Sequence, residues 1–228
     1  MVNDITEQTL GQFISRAQVA SLKQRLAGST EWLVPDPDEL REGDIILASP
    51  RDYTTNPIYL HQRALHKDAT AKWTHAMFYV GMMHVAESNV ATKSGRVDGT
   101  AIVALTDYLP EHELLVCRNR LFVDEKIRLE AVQYALLNVF AKQRPYDRAR
   151  IAEIAIGQRI RDRDDAQLDA VICSDFVLEV MAIGGTTMLS TWAETAHLDW
   201  LPCDFSRPHE EMDRPFALPM RKLREEAA

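Results

Sequence analysis

Cysteine is scarce in this 228-residue chain, and its three copies, Cys117, Cys173 and Cys203, lie far apart. An odd number with no short paired spacing speaks against a disulfide framework and for reduced thiols. The lack of any Cys-x-x-Cys removes the usual zinc-ribbon signature. Positive charge is also in deficit: 26 Lys and Arg face 34 Asp and Glu, a net charge of -8, so phosphate-backbone binding is not expected and nucleic acid is excluded as the main partner. No stretch reaches the roughly 20 apolar residues a membrane span requires. The first residues, Met1-Val2-Asn3-Asp4-Ile5-Thr6-Glu7, lack a basic region followed by an apolar run and do not read as a secretory signal. The expected location is the cytoplasm, or outside it by a route that needs no cleavable signal. Internal repeats and low-complexity segments are missing as well.

What is present is enough apolar sequence for one domain with elaborations. Residues 6 to about 27 read as an amphipathic helix with Leu10, Phe13, Ile14, Ala17 and Ala20 on one face and Gly28 as its stop. Such a face packs on the parent domain or offers a docking helix to a protein partner. Ser29 to Glu42, with Pro35 and Pro37, reads as a connector, so 1–40 is set apart from a main domain over 41–228. Strand-like runs follow at 43–48, 75–80, 83–87, 101–105 and 113–117. A hairpin is expected across Gly81-Met82, with the glycine at the first turn position. Strands at such short intervals predict an α+β fold with an antiparallel sheet of about five strands.

A long helix is expected from Asp124 to Gln143, with Leu129, Val132, Leu136, Val139 and Phe140 on one face, ending before Pro145. Residues 147–168 start helical and enter the charge run Arg159 to Asp165, a solvated surface feature. From about 186 onward the composition predicts a C-terminal wrap over the core.

The stretch Val171-Ile172-Cys173-Ser174-Asp175-Phe176-Val177 carries the chemistry. Phe176, Val177, Val180 and Met181 recur at helical spacing and Gly184-Gly185 supplies a stop, so Cys173 falls on a first helical turn. Unpaired N–H groups and the helix dipole favour negative charge there, which makes a thiol a candidate nucleophile; a small buried hydrophobe on the same stripe is the plainer reading. A thiolate needs a base and the base needs an orienting group. Of seven histidines, His75 opens a strand, where a side chain is held rigidly. His84 competes from nearer mid-strand. Glu87, twelve residues after His75, falls near the same end of the proposed hairpin, where a carboxylate can accept the imidazole N–H. A Cys/His metal site built from Cys173, His75 and His84 would lack a fourth ligand and is the weakest alternative.

Gly43-Asp44-Ile45-Ile46, Thr74-His75-Ala76-Met77-Phe78-Tyr79-Val80-Gly81, His84-Val85-Ala86-Glu87-Ser88, Arg144-Pro145-Tyr146-Asp147 and Cys173-Ser174-Asp175-Phe176-Val177 follow one another in a recurring order. In that order the chain resembles the circularly permuted branch of the NlpC-type papain-like cysteine hydrolases, the YiiX-like proteins, related to lecithin:retinol acyltransferase. The resemblance covers roughly 40–205. It implies a permuted papain-like fold, with the sheet packed on the cysteine-bearing helix and a second long helix. It further implies Cys173 as nucleophile, His75 as base and Glu87 as orienting residue, with Tyr146 and Ser174 on the substrate side. The oxyanion hole would come from N–H groups at the start of the Cys173 helix, and no metal or organic cofactor is required. The implied activity is cleavage of an amide, as in cell-wall peptides. The same dyad also suits an acyl-ester hydrolase or acyltransferase, and a binding module with a degenerate site is the non-enzymatic alternative. The sequence departs from the pattern in its first 40 residues and between Asp147 and Cys173.

Overall fold

A computed structural model of the chain describes residues 4–28, 32–90, 98–155, 170–183, 200–207 and 212–224. Gly43, at φ +91°, turns the chain into β3 (Ile45–Pro50), the middle of a six-stranded antiparallel sheet. A Cβ on Gly43 would stand 2.9 Å from the Phe122 ring, so that turn needs a glycine. Around β3 lie β4 (His75–Gly81), β5 (His84–Asn89), β6 (Gly99–Ala104), β7 (His112–Cys117) and the short β8 (Phe216–Ala217), in the order β6-β5-β4-β3-β7-β8. Ile45 and Leu47 join one core while Ile46 and Ala48 join another on the opposite face. Burial on both faces explains why β3 is a continuous apolar run with no polar alternation. The expected antiparallel sheet is present, one strand larger because the C-terminal wrap contributes β8. The β4–β5 turn differs by one position: Met82 and Met83 occupy it, at φ +50° and +59°, while Gly81 ends β4 at a register irregularity. Two left-handed residues match the twist of the strands they join.

One face of the sheet is covered by α4 (Glu125–Leu137) and α6 (Cys173–Ile183). Phe176, Val177, Val180 and Met181 of α6 pack against Ile45, Phe78 and Ala86, as their spacing predicts. Each such side chain contributes about 1.5–3 kcal/mol on burial. In α4 the buried face is Ala131, Val132 and Ala135, continued by Val139, whereas Leu129 and Phe140 are exposed. The helix is narrower on its inner side than periodicity predicts, because small residues let α4 approach α6 closely. It also ends earlier, passing into a wide π turn over Asn138–Lys142 that closes at Gln143 in the left-handed region. Between them in sequence, α5 (Arg148–Ala155) follows Pro145-Tyr146-Asp147; the charge run Arg159 to Asp165 and the stop Gly184-Gly185 lie outside the described residues.

The N-terminal segment is two helices where sequence periodicity predicts one: α1 (Glu7–Leu10) and α2 (Arg16–Leu26). Ser15 starts the second afresh, accepting from the Gln18 N–H while Gln18 Oε1 accepts from the Ser15 N–H. The buried stripe accordingly moves to Val19, Leu22 and Leu26. The connector contains β2 (Leu33–Pro35), which pairs antiparallel with β9 (Met220–Arg224); β1 (Ile5–Thr6) pairs parallel with the other edge of β9. Both ends of the chain thus share one small sheet. From α2, Arg25 donates to the carbonyls of Thr106, Asp107 and Leu109 and so grips the 3-10 turn Leu105–Tyr108 after β6. No helix among the described residues is long and apolar enough to cross a membrane.

Candidate active site

His75 heads β4, paired with Ala48 of β3, and Glu87 lies near the far end of β5. Antiparallel pairing folds these strand ends together. The His75 Nε2 stands 2.6 Å from Glu87 Oε2, with the imidazole side chain 13% exposed and the carboxylate 1%. The same Glu87 oxygen accepts the Tyr108 hydroxyl and lies 3.4 Å from Asn89 Nδ2. A buried carboxylate is tolerated only with such a set of donors. Tyr108 also lays its ring along the imidazole, centroids 5.9 Å apart and planes 20° from parallel, while His112 meets Tyr108 edge-on.

Cys173 is the first residue of α6, and its position is set by the residue two before it. The Val171 N–H donates to the Pro145 carbonyl, and the Val171 carbonyl accepts from the Asp147 N–H and the Ser88 hydroxyl, the last at 2.7 Å. Pro145-Tyr146-Asp147 therefore serves as a short parallel bridge that registers the Cys173 helix against β5. Cys173 is close enough to the His75 ring to be, after burial, the strongest influence on it. Burial by itself pulls the imidazole's pKa down; the charge and hydrogen bond of Cys173, then Glu87, outweigh it and raise it from 6.5 to about 10. That shift favours the protonated ring, held against the buried Glu87 carboxylate. Cys173 itself is 1% exposed, so the pair opens outward on the imidazole side.

Tyr146 is buried, and its hydroxyl is pushed well above the usual phenol range by that burial, then by the Cys173 charge. It remains an O–H donor. Ser174 is fully buried, and its hydroxyl donates to the Trp200 carbonyl at 2.6 Å. Its side chain thus ties the C-terminal wrap to α6, leaving only its backbone at the helix start. Of the other histidines, His84 lies at the turn end of β5 with Nδ1 against the Met82 carbonyl, so Cys173, His75 and His84 do not form a metal set. His61 and His66 lie on α3 (Pro57–His66), and His197 and His209 fall outside the described residues. Burial pushes the Cys117 and Cys203 thiols up, and neither meets a histidine held by a buried carboxylate as Cys173 does.

Two residues escaped sequence reasoning. Tyr108 sits in a turn between strands, and nothing local marks it as the partner of a carboxylate 21 positions earlier. Gln62 of α3 is fully buried; its Nε2 donates to the Ala71 and Trp73 carbonyls and its Oε1 accepts the Cys203 N–H, fixing the chain just before His75. Tyr108→Phe is expected to lower stability by about 1.5–3 kcal/mol, the range for a hydrogen bond to a charged group, as read by urea unfolding. An unchanged midpoint would mean that Glu87 finds another donor.

Comparison with protein-family models found no match for this chain, and a search of curated proteins found none either.

Proposed function

We propose that the chain is a cysteine hydrolase that cleaves an amide bond through a thioacyl-enzyme on Cys173. The observation that carries the reading is the His75–Glu87 pair at 2.6 Å with Cys173 acting on the same ring, drawn from a helix start and two strand ends and mostly shielded from water. An imidazolium beside the sulfur keeps a proton ready for the leaving group. The sulfur attacks the substrate carbonyl, and the oxyanion meets backbone N–H groups at the start of α6, aided by the helix dipole and by the neutral Tyr146 hydroxyl. His75 protonates the departing amine, then accepts a proton from water as that water attacks the thioester and frees Cys173. Glu87 holds the ring orientation and stabilises its charge; Tyr108 and Asn89 hold Glu87.

The test is differential alkylation of the three thiols with iodoacetamide, followed by peptide mass spectrometry. Cys173 is expected to label well ahead of Cys117 and Cys203 near neutral pH, and His75→Ala is expected to erase that lead. Slow, equal labelling of all three overturns the activated pair and leaves a binding module.

One observation favours an acyl-ester substrate as the second reading. A cavity of about 870 Å³, lined by Trp73, Leu109, His112, Leu115 and Leu218 together with Arg51, Lys72 and Glu113, lies near the site without Cys173, His75 or Glu87 in its wall, and shares the His112 that packs on Tyr108. Apolar walls of that kind suit a chain of methylenes. A long-chain acyl adduct on Cys173 after incubation with phospholipid vesicles selects the ester; an adduct formed only with cell-wall peptides selects the amide.

A further inference from the structure

Away from the Cys173 pair, three metal-ligating side chains converge where the C-terminal wrap meets the end of α3. His66 Nε2, the Cys203 sulfur and an Asp204 carboxylate oxygen all lie within 4.8 Å of one another. His66 Nε2 is 3.4 Å from Asp204 Oδ1, and the Cys203 sulfur is 3.9 Å from the same oxygen. A tetrahedral zinc ion with ordinary bond lengths sets nitrogen–oxygen and sulfur–oxygen edges of about 3.4 Å and about 3.6 Å. Two edges are therefore near those of a ligand set, and the third, from nitrogen to sulfur, is within 4.8 Å.

The hydrogen bonding leaves the histidine nitrogen available, and the thiol and Oδ1 meet only each other. His66 Nε2 is buried and makes no hydrogen bond, despite its closeness to Asp204. Asp204 engages the Leu201 N–H through Oδ2, at 2.9 Å, which turns Oδ1 toward the histidine and the sulfur. The Cys203 N–H is held by Gln62, so the thiol's backbone is fixed. Charge fits as well. Arg207 is bound to Asp68 at 2.8 Å and has Nε 3.6 Å from Asp204 Oδ1. With Cys203 as thiolate, the negative charges of Asp68, Asp204 and the sulfur equal those of Arg207 and one dication.

We propose that His66, Cys203 and Asp204 form a binding site for a zinc-class divalent transition metal, with water in the fourth position. A donor set of one nitrogen, one sulfur and one oxygen suits such an ion and disfavours Mg²⁺ or Ca²⁺, which take oxygen ligands. On binding, the Cys203 S–H proton passes to solvent as the sulfur–metal bond forms, so one proton is released per ion and affinity rises with pH. The ion would staple the turn Pro202–Ser206 to α3. That turn is two links from the candidate active site, through Gln62 to the residues before His75 and through Trp200 to Ser174.

The experiment is Co²⁺ titration of the full chain cleared of metal by chelator, read by thiolate-to-cobalt absorption in the near ultraviolet, with Zn²⁺ competition. One equivalent of Co²⁺ is expected to give the band and Zn²⁺ to abolish it. The band should persist in Cys173→Ser, which separates it from the Cys173–His75 pair. It should vanish in Cys203→Ser. In His66→Ala, affinity should fall by more than the roughly 10–100-fold typical of losing only an outer hydrogen-bond partner. A wild-type chain that gives no band overturns the proposal whatever the variants do. So does a band that survives Cys203→Ser or disappears with Cys173→Ser. None of these readouts requires the hydrolase reading to hold.

Discussion

Cys173→Ala is expected to abolish turnover, a loss of at least about 10³-fold, while Glu87→Gln leaves a remnant reduced by about 10²–10⁴-fold. The two substitutions act on one array at different depths. Removing the sulfur removes the bond-forming atom. Replacing the carboxylate with an amide keeps the size of the side chain but takes away the charge that holds the imidazolium, and it offers N–H where the ring and Tyr108 both need an acceptor. The imidazole's raised pKa then falls back from about 10, since Glu87, after Cys173, is among the groups that raise it against burial. Activity in the wild type is expected to hold through neutral pH and to decline as the ring loses its proton near pH 10. In Glu87→Gln that decline should begin at lower pH. Iodoacetamide labelling of Cys173 should slow most near neutral pH and approach the wild-type rate toward pH 10.

Stability shares the sign of this shift. A group whose folded pKa lies above its unfolded value contributes stability fully present below about 6.5, and that contribution is lost as pH climbs through about 10. Urea midpoints measured across that interval should fall in the wild type and fall less in His75→Gln. Parallel curves for the two proteins would mean that the ring is not the titrating group.

Gly99→Ala is expected to destabilise the chain by about 3 kcal/mol or more, measured by urea or thermal unfolding. Gly99 opens β6 at φ +130°, a conformation that side chains rarely adopt. A Cβ there would lie 2.2 Å from the Arg144 carbonyl oxygen and 3.0 Å from the Pro145 Cα, and both neighbours are backbone. They cannot swing aside without moving the bridge that pins Val171 ahead of Cys173. The Thr100 N–H also donates to that Arg144 carbonyl at 2.9 Å, so displacement would cost a hydrogen bond as well. Gly99→Ala should therefore lose Cys173 labelling selectivity along with stability. Near-wild-type stability would show that the β6 entry has room the geometry does not grant it.

The sequence carried the hairpin strongly because its signals are local. A glycine, two turn positions and two apolar runs placed His75 and Glu87 at one end, and pairing brings them to 2.6 Å even with the turn displaced to Met82-Met83. The helix beginning at Cys173 was equally legible, since Phe176, Val177, Val180 and Met181 specify a buried stripe by spacing alone. Periodicity misled where two solutions share one pattern. Leu129 and Phe140 fit a helical face as well as Ala131 and Ala135 do, and only the close approach of α4 to α6 chooses the small residues. The break at Ser15 was written in a capping box, a signal outweighed by an apolar stripe that runs across it.

By itself, the sequence determined an antiparallel sheet, a cysteine at a helix start, and a histidine and a carboxylate at neighbouring strand ends. Each follows from the repeat of a strand or a helix, which couples residues within a turn or a hairpin. The tertiary structure alone decided that Tyr108 holds Glu87, that Arg25 of the N-terminal helix grips the turn bearing Tyr108, and that β9 joins both chain ends in one sheet. It also decided that His66 meets Cys203 and Asp204. These contacts span from about twenty to more than two hundred positions, and no local periodicity relates residues so far apart; chain packing does.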